Sequence, residues 1–131
     1  MYVIDTNTLI YFFKGMGRVP EKFLATSPKD IGIPAIVLYE LEYGIAKSTS
    51  PRKMQAQLKE LCSLVEALPF DNKAARFSAS IRANLEKKGT PIGPHDVLIA
   101  GTALANEGVL ITNNTKEFSR VPKLRLDNWY Q

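Results

Sequence analysis

The sequence predicts an α/β protein built on a mainly parallel sheet, and three observations lead there. Five short apolar runs of strand type recur along 131 residues, and helical stretches separate nearly all of them. Strands joined through helices pair in parallel and are covered on both faces. One helix candidate contains VLIAGTALA, apolar nearly all round, which places it between other elements instead of at the surface.

Tyr2 to Ile4 is the first strand candidate, and Asp5-Thr6-Asn7 leads from it into the helical run Leu9-Ile10-Tyr11-Phe12-Phe13. Gly15 to Val19 reads as a loop, and Pro20 to Thr26 as a short helix with Pro in its first turn. Ile31 to Ile33 is the second strand, followed by a helix from Ala35 to Lys47 with the apolar line Val37, Leu41, Ile45. Lys47 to Pro51 forms a loop. Ser50 then caps a helix from Pro51 to Ala67 in which Met54, Leu58, Leu61 and Val65 recur at three and four residues. Leu68 to Phe70 is the third strand. Asp71 caps a helix running to Lys88, striped by Ala74, Phe77, Ile81 and Leu85 and stopped by Gly89. The apolar helix spans Pro94 to Asn106 and ends at Gly108; strands at Val109 to Thr112 and Leu124 to Leu126 complete the chain.

This length suits one domain, 1–131, and the absence of a repeat, low-complexity tract or linker agrees. Hydrophobic content of 45% with 23% charged residues describes a globular chain, and no apolar run is long enough to span a bilayer. The amino-terminus lacks the basic region and cleavage site of a signal peptide, so a cytoplasmic protein without membrane association is expected. Cys62, the single cysteine, excludes an internal disulfide and reads by its spacing from Leu58, Leu61 and Val65 as a small core side chain. The net charge of +4 fits contact with a polyanion without demanding it.

In a parallel sheet every strand ends on the same edge, and acids at those ends can meet. Asp5 follows the first strand, where Asp5 or Asn7 reads equally well as a helix cap. Asp96 lies in the first turn of the apolar helix after GTPIGP, a position the helix dipole favours but one where partial burial calls for a partner or a metal. Glu40 and Glu42 share VLYELEYG, and spacing does not choose between them. The end of the Val109 strand brings Asn113 and Asn114, with Glu117 one turn further on. Carboxylates gathered without a His or Cys cluster are hard oxygen ligands suited to Mg2+ or Mn2+, and a single histidine with a single cysteine disfavours zinc. Such a site suits phosphodiester hydrolysis by an activated water, leaving a 5′-phosphate and a 3′-hydroxyl.

Five segments in this order resemble a known family: VIDTNTLI, AIVLYELEYG, KGTPIGPHDVLIAGTA, LITNNTKEF and the closing LRLDNWY. Together they span essentially the whole chain, which is similar to PIN-domain ribonucleases and, more narrowly, to VapC-type toxins of toxin-antitoxin pairs. The resemblance implies a Rossmann-like α/β/α sandwich and a metal-dependent endoribonuclease that cleaves structured RNA, frequently tRNA. It also implies a homodimer, held inactive by a VapB-type antitoxin. It assigns Asp5, Glu40 of the ELxxG pattern and Asp96 as the catalytic metal ligands, with Thr6 or Asn7 supporting them. Asn114 stands two residues after Thr112 where many relatives carry a fourth aspartate, which leaves a second metal open; Thr112 itself offers a hydroxyl for a phosphate oxygen or a water.

Lys87, Lys88, Lys116 and Arg120 flank the two loops nearest this site and are candidates for RNA phosphate contacts. His95 is set aside as a general base, because its side chain leaves a helix about 100° from that of Asp96; rim contact with RNA or surface placement is expected instead. The run Tyr11-Phe12-Phe13 fits helix packing or a groove for a partner. Two rivals differ in class. A phosphatase with Asp5 as nucleophile ordinarily needs a second aspartate two residues on, where this chain has Asn7. A non-catalytic RNA-binding or scaffold protein would have no need of all three acids.

Overall fold

In the computed structural model, which describes residues 1–131, β1 (Tyr2–Ile4) is the middle strand of a five-stranded sheet. Val3 and Ile4 point to opposite faces, as successive strand residues must, yet neither is accessible to solvent. Both faces of the strand are therefore covered. On one side Tyr2 and Val3 pair in parallel with Ile31 and Gly32 of β2 (Ile31–Pro34), and on the other Tyr2, Val3 and Ile4 pair with Val109, Leu110 and Ile111 of β4 (Val109–Ile111). The outer strands are β3 (Glu66–Leu68) beside β2 and β5 (Arg125–Asp127) beside β4, giving the order β3-β2-β1-β4-β5, all parallel. Each edge strand is three residues long and carries exposed charge, Glu66 on one and Arg125 and Asp127 on the other, which discourages pairing with another chain.

The connections are α1 (Thr6–Lys14) and α2 (Val19–Leu24) between β1 and β2, and α3 (Ala35–Lys47) and α4 (Arg52–Cys62) between β2 and β3. α5 (Asn72–Lys87) and α6 (Pro94–Ala105) carry the chain back across to β4, and the one-turn α7 (Thr115–Phe118) leads to β5. The chain moves outward from β1 to β3, then returns past β1 to build β4 and β5. Right-handed crossovers put the connections made in these two directions on opposite faces. The reversal falls between β1 and β4, so a crevice opens beyond the carboxyl ends of those two strands.

Residues Val97, Ile99, Ala100, Gly101, Thr102 and Ala103 of α6 are all buried, as its all-round apolarity predicts. Its closest neighbour is α5, where the buried Ser78 lies directly against Gly101. The aromatic run of α1 serves packing: Phe12 stacks on Phe23 at 4.1 Å, and Tyr11 meets Tyr130 edge-on at 4.8 Å. Beside it, Phe12, Phe13, Leu24, Leu61 and Leu64 line an open apolar groove in which Leu24 and Leu64 are largely exposed.

Five expectations change. Ser50 does not cap the helix that follows it: α4 starts at Arg52 behind Pro51, and no side chain bonds its first N–H groups. The helix expected from Pro51 to Ala67 stops at Cys62, where the Ser63 hydroxyl bonds back to the Glu60 carbonyl at 2.6 Å, and β3 begins at Glu66 because Gly32 and Ile33 of β2 fix its register. β5 likewise starts one residue later than expected, set by Val109 opposite Arg125. Ser78, not Phe77, takes the buried place on α5, since only a small side chain fits against α6 there. Cys62 is exposed and is not a core residue: the stripe ends with the helix, and Leu58 and Leu61 alone are buried on α4.

Candidate active site

The site assembles from the chain segment that follows each central strand. Asp5 leaves β1 and caps α1: its Oδ1 accepts the Thr8 backbone N–H at 2.9 Å, while its own N–H donates to the Ile111 carbonyl of β4. The cap and the functional position are thus the same residue. Only 6% of Asp5 is accessible. Burial pushes its carboxyl above the usual carboxylate range, against the opposing pull of hydrogen bonds from Thr112 and Thr8. Thr112 is wholly buried just beyond β4, with its Oγ1 accepting the Asn114 N–H at 2.9 Å. Its hydroxyl thus faces the loop and stands beside Asp5, whose carboxyl it pulls down.

Glu40 is the acid of α3 that turns inward. The Thr6 hydroxyl donates to Glu40 Oε1 at 2.6 Å, tying α3 to the first residue of α1, whereas Glu42 is exposed. Thr6 therefore supports Glu40, while Asn7 is exposed. Asp96 sits in the first turn of α6, half-buried, and its carboxyl is pushed up to about 6 by burial first and then by the charges of Glu117, Asp5 and Glu40. Glu117 belongs to α7, where Asn114 Nδ2 holds its Oε2 at 2.8 Å. Asn114 acts on the site through Glu117, and Glu117 supplies a fourth negative charge that spacing had left open. A Cβ on Gly93 would stand 3.1 Å from Asp96 Oδ2, so the residue before α6 needs to be small for the carboxylate to keep its place.

Four acids from β1, α3, α6 and α7 thus share one electrostatic neighbourhood. No lysine or arginine pairs with them; the chain's ion pairs are Arg18 with Glu21, Arg82 with Glu86, and His95 Nδ1 with Glu40 Oε2 at 3.4 Å. The oxygens do not close into a ready-made cage around one point. Carboxylates gathered without a lysine or arginine partner leave a place for a cation, and an all-oxygen donor set fits a hard divalent ion. Lys87, Lys88 and Lys116 are exposed and form no ion pair. Arg120 is exposed as well; its Nη1 donates to the Pro91 carbonyl at 3.0 Å and ties α7 to the loop before α6, which leaves its other N–H groups open.

His95 is the residue that spacing placed least well. It leans on Glu40 of another helix, and its ring meets Tyr39 edge-to-face at 5.6 Å. Nothing local to the sequence links positions 39, 40 and 95.

Replacing Thr6 with Val would keep its shape and remove the hydroxyl that orients Glu40. Loss of such a supporting hydrogen bond is expected to lower activity about 10- to 100-fold with an unchanged melting temperature, measured as kcat on a cleavable RNA. Full activity would show that Glu40 needs no positioning.

A doubly wound parallel sheet with an acidic crevice at its switch point, met by no lysine or arginine, defines an α/β protein whose site lies at the carboxyl edge of the central strands. The PIN domain model matches residues 2–124. The tRNA(fMet)-specific endonuclease VapC of Salmonella typhimurium is 39% identical over 98% of this chain and 97% of its own length, and ribonuclease VapC2 of Rickettsia felis is 37% identical over 98% of each. Among solved structures, VapBC2 from Rickettsia felis bound to a promoter DNA fragment and DNA-bound VapBC from Salmonella typhimurium both superpose with a TM-score of 0.90, at 37% and 39% identity over 97–98% of both chains. The chain belongs to the PIN-domain family, within its VapC branch.

Proposed function

We propose that this protein is a divalent-cation-dependent endoribonuclease, the toxin of a toxin-antitoxin pair, which hydrolyses structured RNA, tRNA included, and so arrests translation and growth. The observation that carries the reading is the convergence of Asp5, Glu40, Asp96 and Glu117 in one acidic crevice that no lysine or arginine neutralises. The identity of nearly two-fifths to a tRNA endonuclease over the full chain supports the substrate class.

Asp5, Glu40 and Asp96 would hold Mg2+ or Mn2+, with Glu117 adjoining. When bound, such a cation acidifies water and stabilises charge on a phosphate. Thr8 and Thr112 fix the Asp5 carboxylate, Thr6 fixes Glu40, and Arg120 holds the Asp96 loop to α7. Lys87, Lys88, Lys116 and Arg120, all exposed and without ion pairs, would meet RNA phosphates. A VapB-type antitoxin partner is supported by the solved VapBC complexes, and the open groove of Phe12, Leu24, Leu61 and Leu64 is an apolar face for such a partner. We further propose a cytoplasmic homodimer; no helix is long and apolar enough to cross a membrane.

Induced expression of the wild-type chain, with total RNA sequenced for new 5′ ends, tests the reading. Growth arrest with a discrete set of new 5′-phosphate ends is expected. Unimpaired growth and unbroken RNA from a folded protein would refute it.

The raised pKa values give a second test. Folded Asp96 keeps its proton up to about 6, whereas an ordinary Asp releases it near 3.8, so the folded state binds more protons between those values. Stability without cation therefore falls as pH rises through that window, and Asp5 shifts in the same direction. A divalent cation needs the ionised forms. Millimolar Mg2+ or Mn2+ is accordingly expected to raise the melting temperature more at about pH 7.5 than at about pH 5, by calorimetry; an equal gain at both would count against cation binding by these acids.

A further inference from the structure

We infer that Tyr39 and His95 form a stacking platform for one unpaired nucleobase beside the scissile phosphodiester. The inference deepens the ribonuclease reading and rests on it.

Tyr39 is 58% exposed and the His95 side chain 48% exposed. Their rings stand perpendicular with centroids 5.6 Å apart, an edge-to-face pair that leaves ring surface open to solvent. The pair adjoins the acids directly, since His95 Nδ1 lies 3.4 Å from Glu40 Oε2 and Tyr39 is the neighbour of Glu40 in α3. Tyr43, one turn further along α3, is equally exposed but already has a partner, because the Lys47 ammonium lies 4.8 Å over its ring.

Charge decides what the platform suits. Four carboxylates repel phosphate from this rim unless a cation intervenes, and no lysine or arginine pairs with them. A base meets no such repulsion. Aromatic side chains accept any base through its π face, and single-stranded or splayed nucleotides are the ones proteins read in RNA. A nucleotide whose phosphate lies over the acids has its base within the neighbourhood of these two rings.

The test compares KM and kcat on unfractionated tRNA for the wild type, Tyr39→Leu, Tyr39→Phe and the control Tyr43→Leu, with melting temperatures confirming the fold. Tyr39→Leu is expected to raise KM about tenfold with kcat within about twofold of wild type. Tyr39→Phe and Tyr43→Leu are expected to keep the wild-type KM. The platform is overturned by a wild-type KM in Tyr39→Leu, whether or not that variant also loses affinity for a co-expressed antitoxin. It is overturned as well by a Phe variant that loses as much as Leu, since polar chemistry would then carry the role. If the wild type cleaves no RNA, the ribonuclease reading itself fails and takes the platform with it.

Discussion

Asp5→Asn and Asp96→Asn are each expected to remove RNA cleavage, by more than about a hundredfold in kcat, while leaving the melting temperature equal or higher. The lower bound follows from the cost of losing mere supporting partners at such sites, about 10- to 100-fold, which a lost ligand should exceed. Stability should not suffer, for reasons visible in the site. Asparagine also caps helices, so the bond to the Thr8 N–H survives in Asp5→Asn. Neither acid has a basic partner to lose, and in both variants one charge of a mutually repelling group disappears. Activity and melting temperature therefore separate, and a purified variant measured by both methods gives the answer. Loss of both together would mean that the acids hold the fold, and full cleavage in either variant would refute the assignment of the site.

Gly101→Ala is expected to destabilise the protein by about 2–3 kcal/mol, the upper part of the range for overpacking a closed interior. For a chain of this length that corresponds to a melting temperature lower by roughly 10 °C. A Cβ at Gly101 overlaps Ser78 Oγ and stands 2.9 Å from the Ser78 Cβ and backbone N, so α5 and α6 must move apart. The Ser78 hydroxyl is buried without a hydrogen-bond partner, so Ser78→Ala alone is expected to be neutral or to stabilise by about 1 kcal/mol. In Gly101→Ala the same Ser78→Ala change recovers only part of the loss, because the Cβ and backbone contacts remain. Melting temperatures of the two single variants and the double variant measure this coupling. Additive effects would mean that the two positions do not touch.

Glu40 and Glu42 show where reading the chain stopped. Both flank the same apolar line of α3, and helical geometry places each within reach of the sheet edge. Glu40 is chosen by Thr6, thirty-four positions away, and that choice depends on how α1 packs against α3. The resemblance to the family pointed to Glu40, but the residues themselves did not. Glu117 was readable only as one turn beyond Asn114, and its influence on Asp96 exists because α7 lies next to the start of α6. Cys62 erred in the opposite direction: its spacing from Leu58 suggested burial, but burial requires something to pack against, and α4 ends there.

By itself the sequence determined what is local to a few residues: the apolar runs of the central strands, the cap at Asp71, the all-round apolarity of α6, and hence a parallel α/β sheet with Asp5 and Asp96 on its carboxyl edge. Those features follow from backbone period and side-chain transfer energies, which each segment carries with it. The tertiary structure alone decided the strand order, the turning-in of Glu40, the arrival of Glu117 and the meeting of His95 with Tyr39 and Glu40. Each of these joins groups on different elements, and the distance between them is set by packing and register over the whole chain, which no short stretch of residues encodes.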